Sequence, residues 1–492
     1  MAEILKMFIN GVWTQGAESK ARTILNPATG QGICEVAEGG SVDVDTAVDA
    51  ARKAFDEGPW GSMPALQRAS RLFRLADALD AHAEELAKLE TANNGKPLRE
   101  SVADVADAAN CFRYYAGLAT KPHGQTYDVP DPMQAMVVRE PVGVCGLIVP
   151  WNYPLLMAVW KLAPALAAGN CVVFKPAEAT PLTTIRLFEL MEPLDFPVGV
   201  INLVLGAGET VGARIAEHSN VDKIAFTGGT DTGRLVMKAA AGNIKKLSLE
   251  LGGKSPCIVF ADADLETAVD WALFAIFANQ GQVCSAGSRL LLEDSIHDRF
   301  VERLAERASQ IVVGPGDDPA SEMGPLITEE HMCRVLAYID IGVQEGARLL
   351  CGGSRIRSSA LASGFYVQPT IFTECRPEMR IVREEIFGPV LSVLRFSNEA
   401  EAVRLANDSP YGLAGGVFSQ DGARALRVIR KLRAGITWIN CYHPTYNEAP
   451  WGGYKQSGIG RELGTYGFDA FTEIKQINVN LAPGLIGWYQ SH

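Results

Sequence analysis

The sequence predicts an α/β protein built from two parallel-sheet domains. Three observations carry the prediction. The chain has 492 residues, enough for about three units at roughly 150 residues per domain. Short apolar strands alternate with amphipathic helices in two successive series, the pattern of parallel sheets covered on both faces. Two extended stretches belong to neither series. With 47% apolar and 21% charged residues, the composition is that of a large soluble globular protein that buries most of its apolar surface.

In chain order, residues 43–93 read as helical, with Val44, Val48, Ala51 and Phe55 on one face and Leu72, Leu75, Leu79 and Leu86 on another. A helix near 101–118 leads into an extended excursion at 125–138. The first strand series is 142–149, 170–174, 200–205, 223–227 and 246–249. The second is 256–260, 289–292, 348–350, 391–396, 415–418 and 435–439, interleaved with helices such as 295–311 and 421–432. Residues 473–480 read as an isolated strand. Two sheets of similar size place the expected ligand in the cleft between them.

Composition excludes several function classes. A net charge of −12 without a run of Lys or Arg argues against nucleic acid as a partner. The twenty residues 141–160 carry no charge and are long enough to span a bilayer, but Pro150, Asn152 and Pro154 interrupt them. They read instead as a buried strand, a charge-free loop and a helix start, with no membrane role. The ten cysteines are evenly spread with no CxxC pair, which argues against a disulfide framework or a zinc site. The first residues do not form a secretory signal, so a cytoplasmic protein is expected.

Several strand ends carry chemistry. Gly206-Ala207-Gly208-Glu209-Thr210-Val211-Gly212 follows a strand and opens a helix, where backbone N–H groups can approach a pyrophosphate. Its spacing, G-x-G-x-x-x-G, is one residue longer than the usual dinucleotide fingerprint; alone it reads equally as a tight turn. A second glycine turn, Thr227-Gly228-Gly229-Thr230, ends the next strand. Lys175 and Glu178 could hold the two hydroxyls of a ribose or form a surface ion pair; Glu178 would repel a 2′-phosphate, favouring NAD over NADP. Glu250 ends a strand before Gly252 and Gly253. Cys284 follows the polar neighbours Asn279, Gln280 and Gln282, which are expected to keep its thiol accessible. It is a candidate nucleophile with a carboxylate base, although most cysteines are buried small hydrophobes.

PWNYP at 150–154, KPAEATP at 175–181, FTGGT at 226–230, ELGGKSP at 250–256, GQVCSAGSR at 281–289, EEIFGPV at 384–390 and PWGGYKQSGIGRELG at 450–464 together resemble the aldehyde dehydrogenase superfamily. The match runs essentially end to end, and within the superfamily the chain looks most like the bacterial betaine aldehyde dehydrogenases. The resemblance implies a Rossmann-type NAD-binding domain at 1–121 and 141–252, a catalytic domain at 253–455 and a small β oligomerisation arm at 122–140 and 466–492. It also implies a homotetramer, a dimer of dimers.

The resemblance further implies roles. Cys284 attacks the aldehyde, the Asn152 amide and the Cys284 N–H hold the oxyanion, and Glu250 activates the hydrolytic water. Lys161 and Glu462 relay its proton, or form a structural ion pair. Cofactor contacts are implied at Pro150, Trp151, Lys175, Glu178, Gly208, Thr227, Gly228, Gly229, Thr232 and Leu251, with Glu385 and Phe387 on the nicotinamide-side ribose. Tyr153, Trp160 and Trp451 resemble aromatic positions of the substrate tunnel, which hold a cationic aldehyde or merely shape an apolar passage. Ala278 stands where plant aminoaldehyde enzymes often have tryptophan, which opens the tunnel. Asn93 stands where many members have an Asp near a monovalent cation, which leaves potassium open, as does a second contact near Lys455 and Gly458. Cys441 is either close to the tunnel or a buried structural thiol. The alternatives to a betaine aldehyde substrate are an uncharged aldehyde and a non-catalytic protein on the same fold.

Overall fold

The computed structural model describes residues 4–121, 124–358 and 360–489. Residues 1–3, 122–123, 359 and 490–492, which fall within the expected cofactor domain, arm and catalytic domain, lie outside the described residues.

Five parallel strands form the centre of the first sheet, in the order Lys246–Glu250, Lys223–Thr227, Val144–Ile148, Cys171–Lys175 and Ile201–Leu203. All five were legible as apolar runs, and the middle three are buried at every residue, as a sheet covered on both faces requires. Each edge carries an antiparallel addition the sequence reading missed. At one edge is Gly458–Ile459; at the other is the hairpin Met7–Ile9 and Val12–Thr14. Its turn, Asn10-Gly11, is left-handed at both residues (φ 53° and 79°), the geometry for which Asn-Gly is the usual signal. A second hairpin, Lys20–Asn26 with Gln31–Glu38, was also unforeseen.

The charge-free run at 141–160 is resolved by burial. Val144–Ile148 is a central strand, and Pro154–Ala168 is a helix buried at all 15 residues, apolar on every face but for Lys161 because protein surrounds it on every side. Among the described residues, no helix is long and apolar enough to cross a membrane.

The second sheet has seven strands, in the order Arg348–Cys351, Thr370–Thr373, Val390–Phe396, Arg289–Glu293, Pro256–Val259, Ala414–Phe418 and Ile436–Ile439. Only the first of these pairs antiparallel. Its core packs Ile258, Leu291, Val335, Phe372 and Val417. The strand at 473–480 is not isolated: Thr472–Asn480 pairs antiparallel along its whole length with Met133–Pro141, which also pairs Gln125–Tyr127. The excursion and the C-terminal strand are therefore one three-stranded sheet.

Candidate active site

Parallel strands in register end at a common edge, and the residues that follow them converge. Pro150 and Trp151 follow Val144–Ile148, Lys175 ends its strand, Gly208 follows Ile201–Leu203, and Thr227 and Glu250 end theirs. All six line one cavity of about 1520 Å³, completed by Cys284, Glu385, Phe387 and Trp451 from the other side. Of the site residues expected from sequence, every one lines this cavity except Lys161.

Cys284 follows a strained turn. Asn279, Gln280 and Gly281 have φ of 46°, 58° and 71°, left-handed backbone that persists only where the surroundings fix it. The Gln282 carbonyl accepts from the Asn152 Nδ2 at 2.8 Å, and the Asn279 amide donates to the Asn152 carbonyl at 2.9 Å. Gly253 explains the glycines of ELGG: a Cβ there would lie 2.4 Å from the Cys284 carbonyl oxygen, so only glycine lets the two segments touch. The thiol is less accessible than its polar neighbours suggested. It is half-buried, and burial, with Glu385 and Glu250 nearby, pushes it up to about 12. His443, also in the cavity lining, reaches Ser285: its Nδ1 lies 3.3 Å from the Ser285 Oγ, and burial lowers its pKa to about 4.

Glu250 is buried, and neither carboxylate oxygen has a hydrogen-bond partner. Burial first, then Glu462, hold its carboxyl well above the usual range, against the opposing charges of Lys161 and Arg461. Lys161 is fully buried, donating to Glu462 Oε1 at 2.5 Å and to Thr227 Oγ1 at 2.6 Å. Glu462 is held by reciprocal backbone bonds with Trp451, at 2.7 and 2.8 Å. Its second oxygen is buried and unpartnered.

One part of the cavity lining is rich in glycine. The extra residue in G-x-G-x-x-x-G is taken up by a wide π-helical turn, Gly208–Gly212, before the helix Ala213–Glu217. Gly228, Gly229 and Thr232 surround the start of the helix Thr230–Ala240, and Leu251 packs beneath it. Lys175 and Glu178 do form an ion pair, at 3.3 Å, but at the cavity wall. Glu385 accepts from the Gly253 N–H at 2.9 Å, and burial raises it to about 7. Phe387, left-handed at φ 61°, meets Trp151 edge-on at 5.3 Å, and its carbonyl lies 2.7 Å from His331 Nε2.

The described aldehyde dehydrogenase family model matches residues 13–477. The chain belongs to the aldehyde dehydrogenase family. It is 52% identical over 486 residues to the betaine aldehyde dehydrogenase of Bacillus subtilis, covering 99% of each chain. It is 48% identical to the mitochondrial aldehyde dehydrogenase of Homo sapiens, over 97% of this chain and 92% of that one. The crystal structure of betaine aldehyde dehydrogenase from Staphylococcus aureus in complex with NAD+ superposes with a TM-score of 0.98 at 49% identity, covering 99% of this chain and 97% of that one.

At the other end of this aldehyde dehydrogenase cavity stand the aromatic residues. Trp160 and Trp451 meet edge-on at 5.6 Å, and Tyr153, Trp271 and Phe274 line the same end. Sequence reasoning missed three carboxylates there. Glu100, Asp104 and Asp107, on the helix Leu98–Leu118, also line the cavity, so this wall is charged as well as aromatic. Their spacing of four and three residues, which puts them on one helical face, was the available signal. Cys441 is half-buried and does not line the cavity. The Asn93 side chain donates to the Ala179 carbonyl at 2.9 Å and accepts from the Leu182 N–H at 3.2 Å. Lys455 Nζ donates to the carbonyls of Asn407 and Ser409.

Proposed function

We propose that the chain oxidises betaine aldehyde, or a closely related ω-amino or trimethylamino aldehyde, to the carboxylic acid with NAD as cofactor; from betaine aldehyde the product is glycine betaine. The observation that carries this reading is one cavity that joins Cys284, Asn152 and Glu250 to an end walled by Tyr153, Trp160, Trp451 and three carboxylates. A quaternary ammonium has no N–H to donate, so aromatic faces, at about 0.5–2 kcal/mol each, and nearby negative charge are what can select it.

The Cys284 thiol gives up its proton to solvent in the cavity, and the thiolate so formed attacks the aldehyde carbon. The Asn152 Nδ2 has a second N–H beyond the one given to Gln282, and with the Cys284 backbone N–H it holds the oxyanion. When bound, NAD accepts the hydride that the tetrahedral adduct releases. Glu250, unpartnered and with raised proton affinity, takes a proton from the water that hydrolyses the thioester, and the Lys161–Glu462 pair passes it on. The residues fit the cofactor. A Cβ at Gly208 or Gly229 would meet nothing within 4 Å, leaving room for a phosphate beside the free N–H groups that begin the Thr230–Ala240 helix. Pro150, Trp151, Thr227, Gly228, Thr232 and Leu251 complete that surface. Lys175 and Glu178 suit one ribose, with Glu178 disfavouring NADP, and Glu385 with Phe387 suit the other. Potassium beside Asn93 is compatible with this reading, because Oδ1 accepts one bond, from the Leu182 N–H, and keeps a second lone pair.

The same proposal assigns cofactor binding to 1–121 and 141–252 and catalysis to 253–455. The arm at 122–140 and 466–492 joins subunits into a dimer of dimers: its sheet exposes Tyr127, Met133 and Ile474. Ten unpaired cysteines suit a reducing compartment, so the cytosol is the proposed location. A second reading, an uncharged aliphatic or aromatic aldehyde, rests on Tyr153, Trp160 and Trp451 serving only as an apolar passage. Following NADH or NADPH production from betaine aldehyde and from its neutral isostere 3,3-dimethylbutanal, with both cofactors, separates them. A preference in kcat/KM above about tenfold, worth about 1.4 kcal/mol, is expected; a smaller one removes the cationic substrate.

A further inference from the structure

Lys96 has no part in the chemistry above, yet it touches both halves of the substrate wall. It follows the helix Ala83–Asn94, whose end at Gly95 is left-handed at φ 94°, and it is fully buried. Its Nζ donates to Asp104 Oδ2 at 2.7 Å, stands 4.0 Å from Glu90 Oε1, and lies 4.0 Å from the centroid of the Tyr153 ring. Glu90 is itself held by the Thr183 hydroxyl at 2.6 Å and the Leu155 N–H at 3.3 Å, which fixes the ion against the start of the helix that carries Trp160. Tyr153 and Asp104 both line the cavity. A buried ammonium persists only when paired and well bonded, and this one is paired by the substrate wall itself.

We propose that Lys96 is a positioning residue for the selection of a cationic aldehyde: it backs the Tyr153 ring and balances Asp104, so that the wall offers an aromatic face beside ionised carboxylates. The proposal rests on the cationic-substrate reading. Every ionisable group facing this cluster bears on it. Burial raises Glu90 and Glu100 to about 7 each and raises Asp104, while Lys96 draws all three down. Arg99 also lowers Glu100, and burial, then Asp104, raises Asp107. Tyr153 is raised by burial and by Asp104, Glu100 and Cys284. Without Lys96 the carboxylates hold their protons to higher pH, and the wall loses charge near neutrality.

The experiment compares wild type, Lys96→Met and Lys96→Arg on betaine aldehyde and 3,3-dimethylbutanal from pH 6.5 to 9 with saturating NAD. For Lys96→Met the KM for betaine aldehyde should rise at least fivefold at the lower pH values and return to or below the wild-type KM at pH 9. Its KM for the neutral aldehyde should vary less than twofold with pH, and kcat should change little. Lys96→Arg should keep the wild-type profile. Equal KM changes for both aldehydes at every pH, or a profile that does not move, overturns the proposal. If Lys96→Met does not fold, Asp104→Asn decides. It should raise KM for the cation at least fivefold at every pH and leave the neutral KM within twofold; equal effects overturn the proposal. A wild-type enzyme without cation preference removes the underlying reading instead, so the two failures are distinguishable.

Discussion

The Asn152 side chain and the Gln282 carbonyl are bonded at 2.8 Å, tying the loop after a first-sheet strand to the residue two before Cys284. The amide is thereby oriented before any substrate arrives. Asn152→Ala should lower kcat about 10²- to 10³-fold, the usual loss for one oxyanion donor, with a small change in KM. Steady-state kinetics on betaine aldehyde check this; a loss below about fivefold would take Asn152 out of the oxyanion site.

Cys284→Ala should abolish NADH formation while leaving NAD binding within about threefold, as measured by quenching of tryptophan fluorescence. Retained aldehyde oxidation would sink the proposed covalent route.

Glu250 is a carboxyl whose proton affinity is raised, first by burial and then by Glu462, with Lys161 opposing. Hydrolysis requires the carboxylate, so kcat should climb with pH through a value above the usual carboxylate range. Removing the opposing charge with Lys161→Met should move that limb to higher pH. Glu250→Gln should leave a burst of NADH followed by slow turnover, seen by stopped-flow absorbance. A single-phase trace with an unchanged pH limb would argue against the assigned base.

Trp451 packs on Trp160 at 5.6 Å. Trp451→Ala should cost betaine aldehyde about 0.5–2 kcal/mol of kcat/KM more than it costs 3,3-dimethylbutanal. Equal losses would mean that Trp451 only shapes the passage.

Glu178 meets Lys175 at the cavity wall, 3.3 Å away. Glu178→Gln should raise kcat/KM for NADP relative to NAD by about tenfold, the order expected when a charge facing a 2′-phosphate is removed. An unchanged ratio would place the cofactor's ribose elsewhere.

The fold was legible at most strands buried on both faces, because a segment such as Val144–Ile148 reads as an apolar run; Thr370–Thr373, buried at every residue, is the exception, four residues with threonine at both ends that did not read as a strand. The fold was illegible at the edges. Met7–Ile9 and Val12–Thr14 are three residues each, too short for a period to register, although Asn10-Gly11 between them announced a turn. Gly458–Ile459 is two residues long and is a strand only because Leu249 and Glu250 lie beside it. Catalytic candidates were legible mainly through the family resemblance, because a glycine turn alone reads also as a tight turn and Cys284, in a loop after a helix end, reads also as a buried small hydrophobe. Glu100, Asp104 and Asp107 were not, since carboxylates along a helix ordinarily face water; only the packing of that helix turns them toward the cavity. Lys96 was hidden for the same reason, as a charge in a turn reads as solvated until burial is known.

Lys161 and Glu462 meet across 301 positions of sequence, and Gly458–Ile459 closes the sheet edge just before Glu462. Until the segment around Gly458 has docked on the first sheet, the site lacks both this carboxylate and this edge, however well the rest of that sheet has formed. Until then Lys161 would be a buried ammonium without its carboxylate, a state costing several kcal/mol. The relay is thus complete only when segments 301 positions apart have docked on one another.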